Sequence, residues 1–148
     1  MINRTTDVYL KLQKNAQKSA ETNDCAVKAI AVVLGCSYDK AHKLCADYGR
    51  QNGDGMGVVS IIEALQSVGA RIKPLKIPAG KTLSGIVKRL PSERGKFLII
   101  TRSMYGEGHI SAYKCGQLHD WTSDSQAGKD WNDNSAVTDV FRVSGYGF

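Results

Sequence analysis

The feature that most constrains the fold is the stretch "ETNDCAVKAIAVVLG", residues 21–35. Between Cys25 and Gly35 every residue except Lys28 is apolar, which predicts a helix that is buried on nearly all of its surface. Asp24 is a good helix cap, and glycine commonly follows a helix end. The helix is therefore expected to begin at Cys25. A helix start lowers the pKa of a thiol, so Cys25 is a candidate nucleophile, although a lone cysteine in such a helix is more often structural.

The composition is that of a folded globular protein. The chain has 148 residues, of which 42% are hydrophobic and 23% charged, enough for a core of its own. The opening "MINRTTDVYLKLQKNAQKSA" has no apolar signal-peptide core, and no apolar run approaches the ~18 residues of a membrane span. We expect a single cytoplasmic domain over residues 1–148 without membrane contact, in which residues 1–20 form a loosely attached N-terminal segment.

The four cysteines are expected to be free thiols. Without an export signal, the four cysteines are expected to stay reduced; they are Cys25, Cys36, Cys45 and Cys115. No CxxC pair indicates zinc, and we expect neither a metal nor another cofactor. A metal site is a weaker alternative, because no two candidate ligands lie close together in sequence.

The basic charge admits a nucleic-acid partner as another weaker alternative. The net charge is +6 and the isoelectric point about 9.2. Lysines and arginines are scattered, with local clusters in "RIKPLKIPAGK" and "KRLPSERGK". Neither cluster has interleaved aromatic residues, and the chain has no recognisable nucleic-acid module. A solvated surface explains the charge more simply.

The order of the elements predicts an α+β fold, in which N-terminal helices pack on a C-terminal antiparallel sheet. Helical patterns cover residues 6–18, 25–34, 38–49 and 58–69. A strand "ARIKPLKI" and a short helix "TLSGIVKRL" follow, and then four strand patterns, "GKFLIITR", "HISAYK", "QLHDWTS" and "AVTDVFRVSG". The loop "GRQNGDGMG" contains several glycines and is expected to be mobile, either gating a cleft or simply connecting two helices.

A predicted tight turn in the strand region indicates which histidine is the better partner for a reactive thiol. If Cys115 and Gly116 form a two-residue hairpin turn, the register places His109 and Asp120 as diagonal neighbours on one face of the sheet. His119 then points to the opposite face. His109 is thus the preferred imidazole partner for a reactive thiol.

The three residues together indicate a catalytic arrangement more strongly than any one of them. Cys25 would attack as a thiolate, His109 would hold the imidazolium and protonate the leaving amine, and Asp120 would orient the imidazole. The remaining histidine, His42, lies beside lysines in the second helix and is expected to be a surface residue.

The segments "TNDCAVKAIAVVLGCSYDKA" and "GHISAYKCGQLHDW" together resemble the papain-like cysteine peptidase fold. The closer resemblance is to C39-like peptidases that process bacteriocins and to small phage-encoded relatives, over about residues 20–145. The resemblance implies a thiol hydrolase that cleaves a peptide or isopeptide bond in a peptide or protein substrate. A transamidase or acyltransferase would use the same residues.

One departure from the family pattern concerns the oxyanion hole. Such peptidases usually carry a glutamine six residues before the cysteine, where this chain has Ser19. Gln17 and Asn23 are the nearest side-chain amides, and the backbone N–H of Cys25 is a second candidate donor. The departure keeps open an alternative from another class: a non-catalytic binding or inhibitor protein, for example phage-encoded and acting on a host factor in the host cytoplasm.

Overall fold

The chain folds into five helices and one antiparallel sheet, in a computed structural model that describes residues 6–18, 21, 24–77, 81–91, 93–102, 108–120 and 133–145. The helices are α1 (Asp7–Lys18), α2 (Cys25–Leu34), α3 (Tyr38–Asp47), α4 (Val58–Ser67) and α5 (Leu83–Val87). The strands are β1 (Arg71–Pro74), β2 (Lys96–Arg102), β3 (Gly108–Lys114), β4 (Gln117–His119) and β5 (Ala136–Ser144). The α+β class predicted from the sequence is confirmed.

The sheet has the strand order β1-β5-β2-β3-β4, and all of its pairs are antiparallel. Strands β2, β3 and β4 follow one another as neighbours. Strand β5 then returns to the free edge of β2 and joins it to β1. The register of β5 on β2 shifts between Ile100 and Thr101, where the ladder is irregular.

Helix α2 is the central helix, as its apolar sequence predicts. Every residue after Cys25 in this helix is buried, including Lys28. The helix packs against β3 and α3. It ends at Gly35, whose φ of 65° is the left-handed conformation that glycine adopts without strain. Ser37 then caps α3 by accepting a hydrogen bond from the Lys40 N–H at 3.2 Å.

Strand β3 separates two apolar clusters because its side chains alternate between the faces of the sheet. Ile110 and Ala112 belong to the cluster that surrounds α2. Tyr113 belongs to the second cluster, together with Leu83 and Ile86 around α5. The sheet is therefore covered on both faces, and β3 lies against α2.

The hairpin between β3 and β4 turns at the two residues predicted from the sequence. Cys115 and Gly116 both have positive φ, 51° and 84°, as a tight hairpin turn requires. The pairs that follow match the predicted register, with Lys114 opposite Gln117 and Ala112 opposite His119.

The loop of residues 49–57 is anchored at its centre, contrary to the expectation of a mobile segment. The buried carboxylate of Glu21 accepts a hydrogen bond from the Gly53 N–H at 2.6 Å. The same carboxylate binds Arg50 at 3.1 Å and His42 Nε2 at 2.7 Å. His42 is only 26% exposed and belongs to this ion-pair cluster, so its interpretation as a plain surface residue is wrong.

The cysteines stand as free thiols of different exposure. Cys45 is buried, Cys25 and Cys36 are partly exposed, and Cys115 is exposed. In the described part of the chain, no helix combines the length and the apolar character needed to cross a membrane.

Candidate active site

The site begins at the first residue of α2. Asp24 occupies the cap position, but its carboxylate binds Tyr38 and Lys28, at 2.7 and 2.9 Å. Cys25 follows at the helix start, where the backbone N–H groups have no partner within the helix. The thiol therefore lies at the positive end of a ten-residue helix that the core holds in place.

The hairpin brings the other two predicted residues together. His109 Nε2 and Asp120 Oδ1 are 2.7 Å apart, and the two side chains are 5% and 2% exposed. His109 lies on β3, and Asp120 directly follows β4. The register set by the two-residue turn makes them diagonal neighbours, as the sequence predicts.

The imidazole is also the hydrogen-bond partner of the Cys25 thiol. Because Nε2 is engaged by Asp120, Nδ1 is the nitrogen left to share a proton with the sulfur. The backbone N–H of Ile110 provides a second hydrogen bond to this thiol. The structure thus brings Cys25, His109 and Asp120 into one chain of contacts.

These contacts favour the charged forms of both partners. Burial acts to raise the pKa of Cys25, but the hydrogen bond and charge of His109, with the Ile110 N–H, outweigh it and lower the pKa. Burial acts to lower the pKa of His109, but the carboxylate of Asp120 and the contact with Cys25 raise it to about 10. The thiolate of Cys25 is therefore stabilised relative to that of a free cysteine, and the imidazolium of His109 is the expected form near neutral pH.

A buried lysine supports the start of α2. Lys28 is 1% exposed, and its ammonium group pairs with Asp24 and donates a hydrogen bond to Gln13 Oε1. It also lies over the ring of Tyr9, 5.4 Å from the ring centroid. The single lysine in an otherwise apolar helix is the sequence feature that indicates such a cluster. Sequence spacing does not indicate which residues of α1 are its partners.

Helix α1 lies against the site. Thr6 Oγ1 caps the helix by accepting from the Tyr9 N–H at 3.2 Å, and it contacts His119 Nδ1 at 2.6 Å. Tyr9 is buried, and burial together with the charges of Asp120, Cys25 and Asp24 raises the pKa of its hydroxyl. The sequence did not predict that Tyr9 lies near these residues, because the weak periodicity of the first helix does not indicate which of its residues face inward.

The predicted amide donors are not brought to the thiol. Gln17 is exposed in the last turn of α1, because the buried stripe of that helix consists of Tyr9, Leu12 and Ala16. The placement of Gln17 in an oxyanion hole is therefore not supported. Asn23 lies outside the described residues, as does Ser19.

Comparisons with known proteins supply no family for the chain. No model of a protein family matches it, and a search of curated proteins finds no matching relative. Over the described residues, no group of three or more His, Cys, Asp or Glu side chains is arranged to hold a metal ion. The site must be interpreted from its own geometry.

Proposed function

We propose that this chain is a thiol hydrolase that cleaves a peptide or isopeptide bond. The observation that carries the proposal is the chain of contacts from Cys25 at a helix start, through His109, to Asp120 at 2.7 Å. It contains the three parts of an activated nucleophile: a thiol, a base within hydrogen-bonding reach, and a group that orients the base.

In the first step the Cys25 thiolate attacks the carbonyl carbon of the substrate, and the carbonyl electron pair moves to the oxygen. The Cys25 backbone N–H, at the first position of α2, is a candidate donor to this oxyanion. The intermediate then collapses: His109 gives its proton to the leaving nitrogen, an amine departs, and a thioester forms on Cys25.

In the second step a water molecule attacks the thioester. His109, now neutral, takes a proton from the water, and Asp120 stabilises the imidazolium that forms. The second tetrahedral intermediate releases a carboxylic acid and restores the thiolate. If an amine replaces the water, the same residues perform a transamidation, so the nature of the acceptor decides between a hydrolase and a transferase.

The proposal includes a papain-like scaffold related to that of the C39-like peptidases, with a peptide or protein substrate and a cytoplasmic location. Its support is the order of the elements: a buried helix that begins with the cysteine, followed by an antiparallel sheet that carries the histidine and then the aspartate. The α+β class alone is common to many functions, so the activity rests on the site.

The test combines labelling with hydrolysis. A peptide library with an electrophilic carbonyl warhead is offered to the wild type and to Cys25→Ala, with Cys36→Ala and Cys115→Ala as matched thiol controls. Labelling should disappear only in Cys25→Ala, and the peptides preferred by the probe should be cleaved by the wild type. Labelling that survives in Cys25→Ala would contradict the proposal.

A second candidate is a non-catalytic binding or inhibitor protein on the same scaffold. The observation that favours it is the exposed position of Gln17, which leaves no predicted side-chain amide beside Cys25 among the described residues. In this case Cys25 would still be alkylated rapidly near pH 6, but no peptide in the library would be cleaved. Losing one oxyanion donor costs about 10²–10³ in rate, so the hydrolysis assay needs that sensitivity.

A further inference from the structure

A cavity of about 630 Å³ lies at the opposite end of α2 from Cys25. It is an open cleft bordered by α1, the last turn of α2, the start of α3 and the turn between β3 and β4. Its apolar walls include Val8 and Leu12 from α1 and Val32 from α2. This volume is in the range of pockets that hold small molecules.

One half-buried cation distinguishes the cavity from a simple apolar groove. Lys114 lines it, and its Nζ donates a hydrogen bond to the carbonyl oxygen of Val32 at 3.2 Å. An ammonium group has three N–H donors, and Val32 O is its one hydrogen-bond acceptor within the described residues. Gly35 lies beside this ammonium group, since a Cβ atom built there would be 3.5 Å from Lys114 Nζ.

The described lining of the cavity contains no carboxylate. The charged residues that line the cavity in the described part of the chain are Lys11 and Lys114, and the lining also contains His119 and the Cys36 thiol. Burial raises the pKa of Cys36, and its hydrogen bond with its own backbone and the charges of Lys40 and Lys114 oppose that rise.

We propose that this cavity binds a small amphipathic anion, with its apolar body between α1 and α2 and its single acidic head on Lys114. Because no described lining residue is a carboxylate, the half-buried ammonium group of Lys114 gains a charge-assisted hydrogen bond from such a head. An uncharged ligand of the same shape cannot form that charge-assisted bond. A cationic ligand is repelled by Lys11 and Lys114. The site goes beyond the proposed hydrolase, because Cys25, His109 and Asp120 do not line it.

The probe pair for the test is 1-anilinonaphthalene-8-sulfonate and N-phenyl-1-naphthylamine, which share an apolar body and differ by the sulfonate. Fluorescence titration of the wild type should give tighter binding of the sulfonate dye. Lys114→Met should weaken the sulfonate dye by roughly tenfold and leave the neutral dye nearly unchanged. Lys73→Met is the matched control, since Lys73 is exposed on β1 and changes the net charge equally.

Two further arms decide the remaining outcomes. Decanoate should displace the sulfonate dye, whereas decyltrimethylammonium should not. In the wild type, the dye should also slow the alkylation of Cys36 by N-ethylmaleimide, followed by peptide mass spectrometry, so the test stands even if Lys114→Met fails to fold. Equal affinities of the two dyes, equal losses in Lys114→Met and Lys73→Met, or unprotected Cys36 would each overturn the proposal.

Discussion

His109 and Asp120 are joined across the β3–β4 hairpin, with 2.7 Å between Nε2 and Oδ1 and with both side chains buried. This bond fixes the rotation of the imidazole before any ligand arrives and leaves Nδ1 for Cys25. A reacting group that is already oriented avoids the entropy cost of orientation during the reaction. The hairpin is therefore the element on which the geometry of the site depends.

The reactivity of Cys25 should depend on His109 more than on Asp120. His109→Ala removes both a hydrogen bond and a positive charge from the thiolate, so the pKa of Cys25 should rise. Asp120→Ala also removes a negative charge that raises this pKa, which offsets the weaker imidazolium, so its effect should be smaller. The rate of iodoacetamide alkylation against pH measures both shifts, and Cys36 in the same samples serves as the internal control. An unchanged profile in His109→Ala would show that the two residues do not interact.

The stability of the protein should depend on pH through two groups, Cys25 and His109, whose contributions change in opposite directions. The folded pKa of Cys25 is lowered, so its contribution is present above the unfolded value of about 8.5 and is lost as the pH falls. The folded pKa of His109 is raised to about 10, so its contribution is present below the unfolded value of about 6.5 and is lost as the pH rises.

The two effects oppose each other. From about pH 8.5 to 10 the unfolded pair binds no proton while the folded His109 still binds one, so the free energy of unfolding should fall as the pH rises. At lower pH the loss of the Cys25 contribution offsets the gain from His109, so the free energy of unfolding should change less steeply. Urea unfolding from pH 5 to 10 tests this. Cys25→Ala should lose this offset, so its free energy of unfolding should decline from about pH 6.5 upward, more steeply than that of the wild type. A variant profile parallel to that of the wild type would contradict the coupling.

Removing the charge of Lys28 should destabilise the fold severely. Lys28→Met leaves the carboxylate of Asp24 buried without its ion-pair partner, at a cost of about 3–5 kcal/mol in the free energy of unfolding. Lys43→Met, at an exposed lysine on α3, is the control and should change the free energy of unfolding by less than about 0.5 kcal/mol. Urea denaturation provides the measurement.

The double variant Asp24→Asn/Lys28→Met separates the ion pair from simple packing. Because it removes both charges, it should recover a large part of the loss seen in Lys28→Met. If the double variant is less stable than Lys28→Met, the unpaired Asp24 carboxylate is not the cause of the destabilisation.

Two glycines of the 49–57 loop should respond differently to alanine. Gly53 has φ of 82° and donates its N–H to Glu21, so Gly53→Ala should cost about 1–2 kcal/mol of stability. Gly55→Ala is the matched control: a Cβ atom there meets no atom within 4 Å, and its stability should stay within about 0.5 kcal/mol of the wild type. Thermal unfolding compares the two, and equal shifts would mean that the loop is not anchored through Gly53. For the same reason, a deletion of residues 52–54 should lower stability.

Sequence patterns correctly predicted the structural features that depend on residues close together in the chain. The apolar run after Cys25 predicted the buried helix α2, and the pair Cys115-Gly116 predicted the register that joins His109 to Asp120. In both cases, the residues that decide the structure lie within one element or one turn. The papain-like resemblance and the catalytic role remain predictions.

Contacts between segments that are distant in sequence could not be predicted from these local patterns. Lys28 reads as an exception in an apolar helix, and only the packing of α1 supplies Gln13 and Tyr9 as its neighbours. Likewise, Glu21 shows no pattern that links it to Gly53, yet it anchors the loop there. The position of β5 beside β2 was not predicted either, because the sequence patterns of all the strands are equally compatible with an edge or a centre.

The interior position of β5, between β1 and β2, has a consequence for synthesis on the ribosome. A nascent chain that has produced Cys25, His109 and Asp120 still lacks residues 136–144, so β2 has an open edge and β1 has no partner. We expect the thiol to become reactive only after β5 has left the exit tunnel and completed the sheet. A reactive thiol would then be withheld from neighbouring nascent proteins until translation has passed this strand.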